Sequence, residues 1–304
     1  MLNLYPPANH AVYNGATLNF APEIDQACQA IHDACKGLGT DEEGLVAALG
    51  TKSADKRYLM SVRYRELFGR LILDKVQPRF WVPREQLIYP IVMGRTNVEI
   101  GILKKTYYDM YGKDLGSVMD SELSGDVKKA VLASLQAPLE QFNPAFHSPQ
   151  KAEEDAEALH RAGEGRMGTR EHEFINILVA SPPQHLRAVN AAYEKKHKHG
   201  IVHAVKKEFG GDAEDTLLFL VRMVLEPLVL LSELFESTMK GFGTDEKALS
   251  AALVRYHLVL RDIRPVYKKT YGKDLRDRIQ GEVSGDYGKL VLAVYDSPTN
   301  YDEA

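Results

Sequence analysis

The segment YGKDL occurs twice, at Tyr111–Leu115 and at Tyr271–Leu275, an offset of 160 residues. The same offset carries Arg95 onto Arg255, Glu122 onto Glu282, and Ser124-Gly125-Asp126 onto Ser284-Gly285-Asp286. A second landmark, KGLGTDE at Lys36–Glu42, returns as KGFGTDE at Lys240–Glu246 and, more loosely, as GRMGTRE at Gly165–Glu171. The interval from Thr169 to Thr244 sets a module of about 75 residues. Self-similarity at such a period is the signature of a repeat architecture, in which each unit buries its apolar face against its neighbours.

Within a module the apolar spacing is helical. Leu249, Ala252, Leu253 and Tyr256, like Tyr287, Leu290, Val291 and Val294, fall at i, i+3, i+4, i+7, the stripe of a helix with one buried face. No segment carries convincing strand alternation. The Gly-x-Gly-Thr segments punctuate the helices: a glycine just past one helix suits the left-handed C-cap, and the threonine is then expected to cap the next. Thr40 with Glu43 reads as a capping box, and Asp41, Glu42, Asp245 and Glu246 suit the positive first turns. The Pro- and Asn-rich APLEQFNPAFHSP at 137–149 reads as a linker between halves.

One Gly-x-Gly-Thr segment is ordinary helix-turn-helix punctuation. Its pairing with a downstream acid is more specific: Thr244 lies 38 residues before Glu282, which opens EVSGD, and Thr169 lies 39 before Glu208, which opens EFGGD. In a compact helical module this spacing can fold the acid back beside the glycine loop. Calcium takes six to eight oxygen ligands, backbone carbonyls and carboxylates among them, and glycines let a tight loop aim several carbonyls one way. A site with one acidic ligand is expected to be weak and to leave positions for water, which a lipid phosphate oxygen can replace. Calcium affinity and membrane affinity are then reciprocally coupled.

Loops of the form K-G-x-G-T-D-E paired with a downstream (D/E)-x-S-G-D resemble those of the annexin family, and the resemblance runs from about Glu23 to Pro298. It implies an all-α array of four repeats, each of about five short helices, forming a slightly curved disc with calcium loops on its convex face, here with the second repeat truncated. It also implies calcium-dependent, non-enzymatic binding to acidic, phosphatidylserine-like membranes by a cytoplasmic protein that is peripheral when calcium rises. The implied calcium ligands in the fourth repeat are the carbonyls of Met239, Gly241 and Gly243 with the carboxylate of Glu282. In the third they are the carbonyls of Gly163, Arg166 and Gly168 with Glu208. On this reading Glu282→Gln is expected to weaken binding most and Glu208→Gln next. The boundaries read as a flexible head at 1–22, repeats at 23–83, 84–137, 151–226 and 227–304, and a linker at 138–150. The head is a possible recruiter of a protein partner.

The residue between or beside the loop glycines is apolar three times, Leu38, Met167 and Phe242. Three alike suggest shallow insertion among headgroups, with local packing as the alternative. Lys36, Arg166 and Lys240 stand close enough to hold phosphate.

Two repeats depart from the pattern. Aligning Phe68-Gly69 with Tyr271-Gly272 puts Arg79 where Glu282 stands, and a guanidinium cannot ligate calcium, so the first site is expected to be crippled. Arg79 is either a direct phosphate contact or a solvated or salt-bridged arginine. The second repeat keeps its acid, Glu122, but has no Gly-x-Gly-Thr loop. Only 26 residues separate Gly69 from Arg95, some thirty fewer than two full repeats require. Either the first half is rearranged or a segment has been lost. The stretch with Pro78, Trp81, Pro83 and Pro90 does not read as a regular replacement for several helices.

Other functions are less well supported. A net charge of -4 with no run of basic residues argues against nucleic acid and against simple polybasic attraction to lipid. Cys28 and Cys35, two helical turns or roughly 10 Å apart, cannot bridge within a helix. The start has no secretory pattern, and no apolar stretch is long enough to span a bilayer. His197, His199 and His203 in HKHGIVH invite a metal-site reading, but no third ligand is evident nearby in sequence. A calcium-independent protein-binding scaffold is the main alternative, and it has no need of an acid paired with each glycine loop.

Overall fold

The computed structural model describes residues 2, 4–36, 40–69, 85–165, 168–241 and 243–299. Among these every regular element is helical, and none is a strand. No helix among them is long and apolar enough to cross a membrane. The chain divides into two compact units, Val82–Leu230 and, discontinuously, Leu2–Trp81 with Leu231–Ala304.

The first unit contains α5 (Glu85–Val92), α6 (Asn97–Tyr111), α7 (Leu115–Glu122) and α8 (Gly125–Leu135). After an irregular stretch follow α9 (Pro149–Ala162), α10 (Glu171–Ala180), α11 (Pro183–His197), α12 (Ile201–Glu208) and α13 (Gly211–Leu225), the five helices of a whole module. Its core is drawn from one face of each: Leu159, Phe174, Leu178, Leu186, Val189, Tyr193, Ile201, Val205, Leu217 and Val221 are almost fully buried. Pro90 lies inside α5, a single eight-residue helix, while Pro78, Trp81 and Pro83 of the stretch that does not read as a regular replacement for several helices lie outside the described residues. Arg95 is 5% exposed and donates to the carbonyls of Pro90 and Ile91 at the C-terminal end of α5. Residues 70–84, including Arg79, lie outside the described residues.

The second unit contains α1 (Pro7–Tyr13), α2 (Pro22–Ala34), α3 (Glu42–Leu45) running into a π turn (Val46–Gly50), and α4 (Ala54–Phe68). It then takes in α14 (Pro227–Met239), which starts in the first unit, α15 (Glu246–Tyr256), a 3-10 turn (His257–Val259), α16 (Leu260–Tyr271), α17 (Leu275–Gln280) and α18 (Gly285–Asp296). The π turn packs on α18 so closely that a Cβ at Gly50 would lie 2.7 Å from the Ala293 methyl. Cys28 is fully buried beside Met60, and burial pushes its thiol up to about 11, so it is chemically quiet. The two cysteines are free thiols.

The repeated landmarks are helix punctuation. In YGKDL the glycine stops one helix in the left-handed conformation (Gly112 φ 65°, Gly272 φ 71°), and the aspartate caps the next. Asp114 accepts from the Ser117 N–H at 2.8 Å and Asp274 from the Arg276 N–H at 3.0 Å. The expected threonine caps are displaced by one residue. Asp41, not Thr40, caps α3 by accepting from the Gly44 N–H at 2.9 Å, so the Thr40/Glu43 box does not form, and Asp245, not Thr244, caps α15. That shift frees the threonine hydroxyls of the third and fourth modules for another partner.

Candidate functional site

The three glycine loops share one closure. In each, the residue after the threonine returns its N–H to the last turn of the preceding helix: Asp41 to the Ala34 carbonyl at 2.9 Å, Arg170 to Ala162 at 2.7 Å, and Asp245 to Thr238 at 2.8 Å. The third loop spans one residue more than the other two, which accounts for its looser motif. Gly168 (φ 78°), Gly241 (φ 112°) and Gly243 (φ 85°) are left-handed, a conformation that restricts those positions to glycine.

In the third module Glu208, at the end of α12, folds back over this loop. The Thr169 hydroxyl donates to its carboxylate at 2.5 Å, and a Cβ placed on Gly163 would meet the Glu208 Cγ at 2.9 Å. Gly163 is therefore a cradle for the acid rather than simple punctuation. Gly163→Ala is expected to push Glu208 off the loop, lowering the melting temperature by a few degrees and calcium affinity at least severalfold; calorimetric melting and calcium titration of the variant check both. Arg166 and Met167 of this loop lie outside the described residues.

The fourth module repeats the arrangement with one difference. The Thr244 hydroxyl donates to the Glu282 carboxylate at 2.9 Å, as Thr169 does to Glu208. Between Glu282 and the loop, however, stands Arg278. Its guanidinium donates to the Glu282 carboxylate through Nη1 and to the Met239 carbonyl through Nη2, the latter at 2.6 Å, and Glu236 lies 3.5 Å from its Nε. This hydrogen bond from Arg278, reinforced by Thr244, holds the Glu282 carboxyl below the usual glutamate range. The third module has Ala204 at the matching position four residues before its acid, and Ala204 is fully buried in the core. Phe242 and Leu38 lie outside the described residues, whereas Lys36 and Lys240 are exposed beside their loops.

Sequence reading named both acids and missed what holds them. The spacing from threonine to acid was visible, but the hydroxyl-to-carboxylate bond was concealed by assigning the threonine to the helix cap. Arg278 had a signal, since it sits one helical turn before an acid whose counterpart follows an alanine.

Glycine loops closed alike, two of them overhung by a carboxylate from later in the same module, define an all-helical repeat protein that gathers oxygen atoms between its helices. The annexin family model matches residues 81–134, 154–220 and 232–294, more than half of the chain. The chain is 30% identical to human annexin A3, with 91% of this chain and 94% of that protein covered, and 27% identical to mouse annexin A13, with 90% and 95% covered. Among solved structures, annexin III superposes with a TM-score of 0.76 at 28% identity, covering 93% of this chain and 96% of that one. The chain belongs to the annexin family. As a family, annexins bind calcium and, through it, phospholipid membranes.

Proposed function

We propose that this annexin binds acidic, phosphatidylserine-like membrane surfaces through calcium held chiefly by its third module. The observation that carries this reading is Glu208 lying in the space above Gly163 where any side chain would stand. The oxygens on offer suit a hard cation: the carbonyls of Gly163, Arg166 and Gly168 and the Glu208 carboxylate. In the fourth module the corresponding set is Met239, Gly241, Gly243 and Glu282, with Arg278 bonded to the first and last of them. The order expected from sequence, Glu282 before Glu208, is therefore reversed in this reading.

Bound there, calcium supplies a doubly positive centre on a surface whose own net charge is -4, and phosphate oxygens take the coordination positions the protein leaves open. Lys36 and Lys240 are placed to hold further phosphates, and the loop residues Leu38, Met167 and Phe242 enter the headgroup layer. The protein is then cytoplasmic and peripheral, its repeats bounded as the sequence reads them, with any protein partner taken up by the head. A calcium-independent scaffold leaves Glu208 over Gly163 unexplained.

The test is sedimentation with vesicles containing phosphatidylserine or phosphatidylcholine alone. Calcium is expected to carry the protein into the pellet with the acidic vesicles only, and a chelator to release it. Equal pelleting with and without chelator would rule this reading out.

A further inference from the structure

The histidine-rich turn between α11 and α12 gains in three dimensions the ligand that it lacks in sequence. Glu164, next to Gly163 in the third loop, points its carboxylate at this turn, and ligand atoms of Glu164, His199 and His203 lie within 4.8 Å of one another. We propose that these three side chains form a binding site for zinc, separate from the calcium ligands and independent of the membrane-binding reading.

The geometry favours a metal over a simple ion pair. His199 Nε2 stands 3.4 Å from Glu164 Oε2. That is long for a charge-assisted hydrogen bond, which runs to about 2.7–2.9 Å, yet it matches the edge of roughly 3.3 Å that tetrahedral ligands subtend at zinc bond lengths of about 2.0–2.1 Å. The Glu164 side chain is 5% exposed and already oriented: the Tyr193 hydroxyl donates to Oε2 at 2.7 Å, and the Lys207 ammonium lies 3.0 Å from Oε1. Such outer partners fix a ligating carboxylate. The His199 Nδ1 is buried without a hydrogen-bond partner.

The turn is rigid where it presents the rings. Lys198 takes the left-handed conformation at φ 68°, Asn190 accepts from the Ile201 N–H at 2.9 Å, and a Cβ on Gly200 would meet the Asn190 and Glu194 oxygens at 2.7 Å. His203, one turn into α12 and exposed, offers its ligand atom within 4.8 Å of the other two. Two imidazoles and one carboxylate suit zinc and leave a fourth position to water, whereas calcium prefers an all-oxygen shell. A zinc ion here ties the first residues of the third loop to α12.

The test is calorimetric titration of metal-freed protein with zinc chloride, together with the visible absorption of the cobalt(II)-loaded form. One equivalent is expected to bind, with the intense bands of tetrahedral cobalt. His203→Ala alters an exposed side chain and should fold normally, and it is expected to weaken this equivalent at least tenfold; Glu164→Gln is expected to weaken it by a similar factor. His197→Ala, at the ring stacked 4.0 Å from His160, is expected to titrate as the parent does. Equal binding by the parent and His203→Ala, or weak octahedral cobalt bands, would show an adventitious ion only. Loss of zinc binding alongside intact calcium-dependent pelleting would leave the membrane reading untouched.

Discussion

Glu208→Gln is expected to raise the calcium concentration for half-maximal sedimentation with phosphatidylserine vesicles by about tenfold or more, equivalent to roughly 1.4 kcal/mol of lost binding per decade. The amide keeps the shape of the side chain and one acceptor oxygen, so the Thr169 hydroxyl retains a partner and the packing against Gly163 is preserved. What the substitution removes is the negative charge, the only one in the proposed third-module ligand set. Because a weak calcium site depends steeply on ligand charge, the loss appears in binding and not in folding. A melting temperature within a degree or two of the parent, alongside the shifted sedimentation midpoint, is the expected pair of results. A midpoint that does not move would transfer calcium binding elsewhere in the chain.

How much of this was legible in the sequence depended on the range of the interaction concerned. The helices were readable because their stripes and stops are local: Leu249, Ala252, Leu253 and Tyr256 are all buried, and Gly112 and Gly272 end their helices. The acids were readable because two modules repeated one spacing. Partners chosen among nearby competitors were not readable. Thr244 had a cap and a carboxylate within reach, and Asp245 took the cap. Glu164 gave no sign of serving His199 because 35 residues separate them, and only the packing of α11 on α9 brings them together. Pro90 sits at the sixth position of α5, where proline costs one helical hydrogen bond, and the helix forms nonetheless, although one eight-residue helix is no replacement for several.

Arg278→Gln is expected to act in the opposite direction to a ligand mutation and to lower the calcium concentration that fills the fourth module by about tenfold. In the parent the guanidinium already supplies a positive charge to Glu282 and a donor to the Met239 carbonyl, so calcium must displace a cation tethered four residues from the acid. Hydrogen bonds to charged groups contribute roughly 1.5–3 kcal/mol. With both side chains between a fifth and a quarter exposed, solvent screening reduces that to about one decade of calcium affinity. Glutamine is too short to span the gap and carries no charge. The measurement is terbium luminescence or calcium titration in a Glu208→Gln background, where the third module is weakened and a change at the fourth is resolved. A fall in the midpoint identifies Arg278 as a competitor for the calcium position. An unchanged or raised midpoint would show instead that the guanidinium yields freely to the ion or holds the loop in its binding shape.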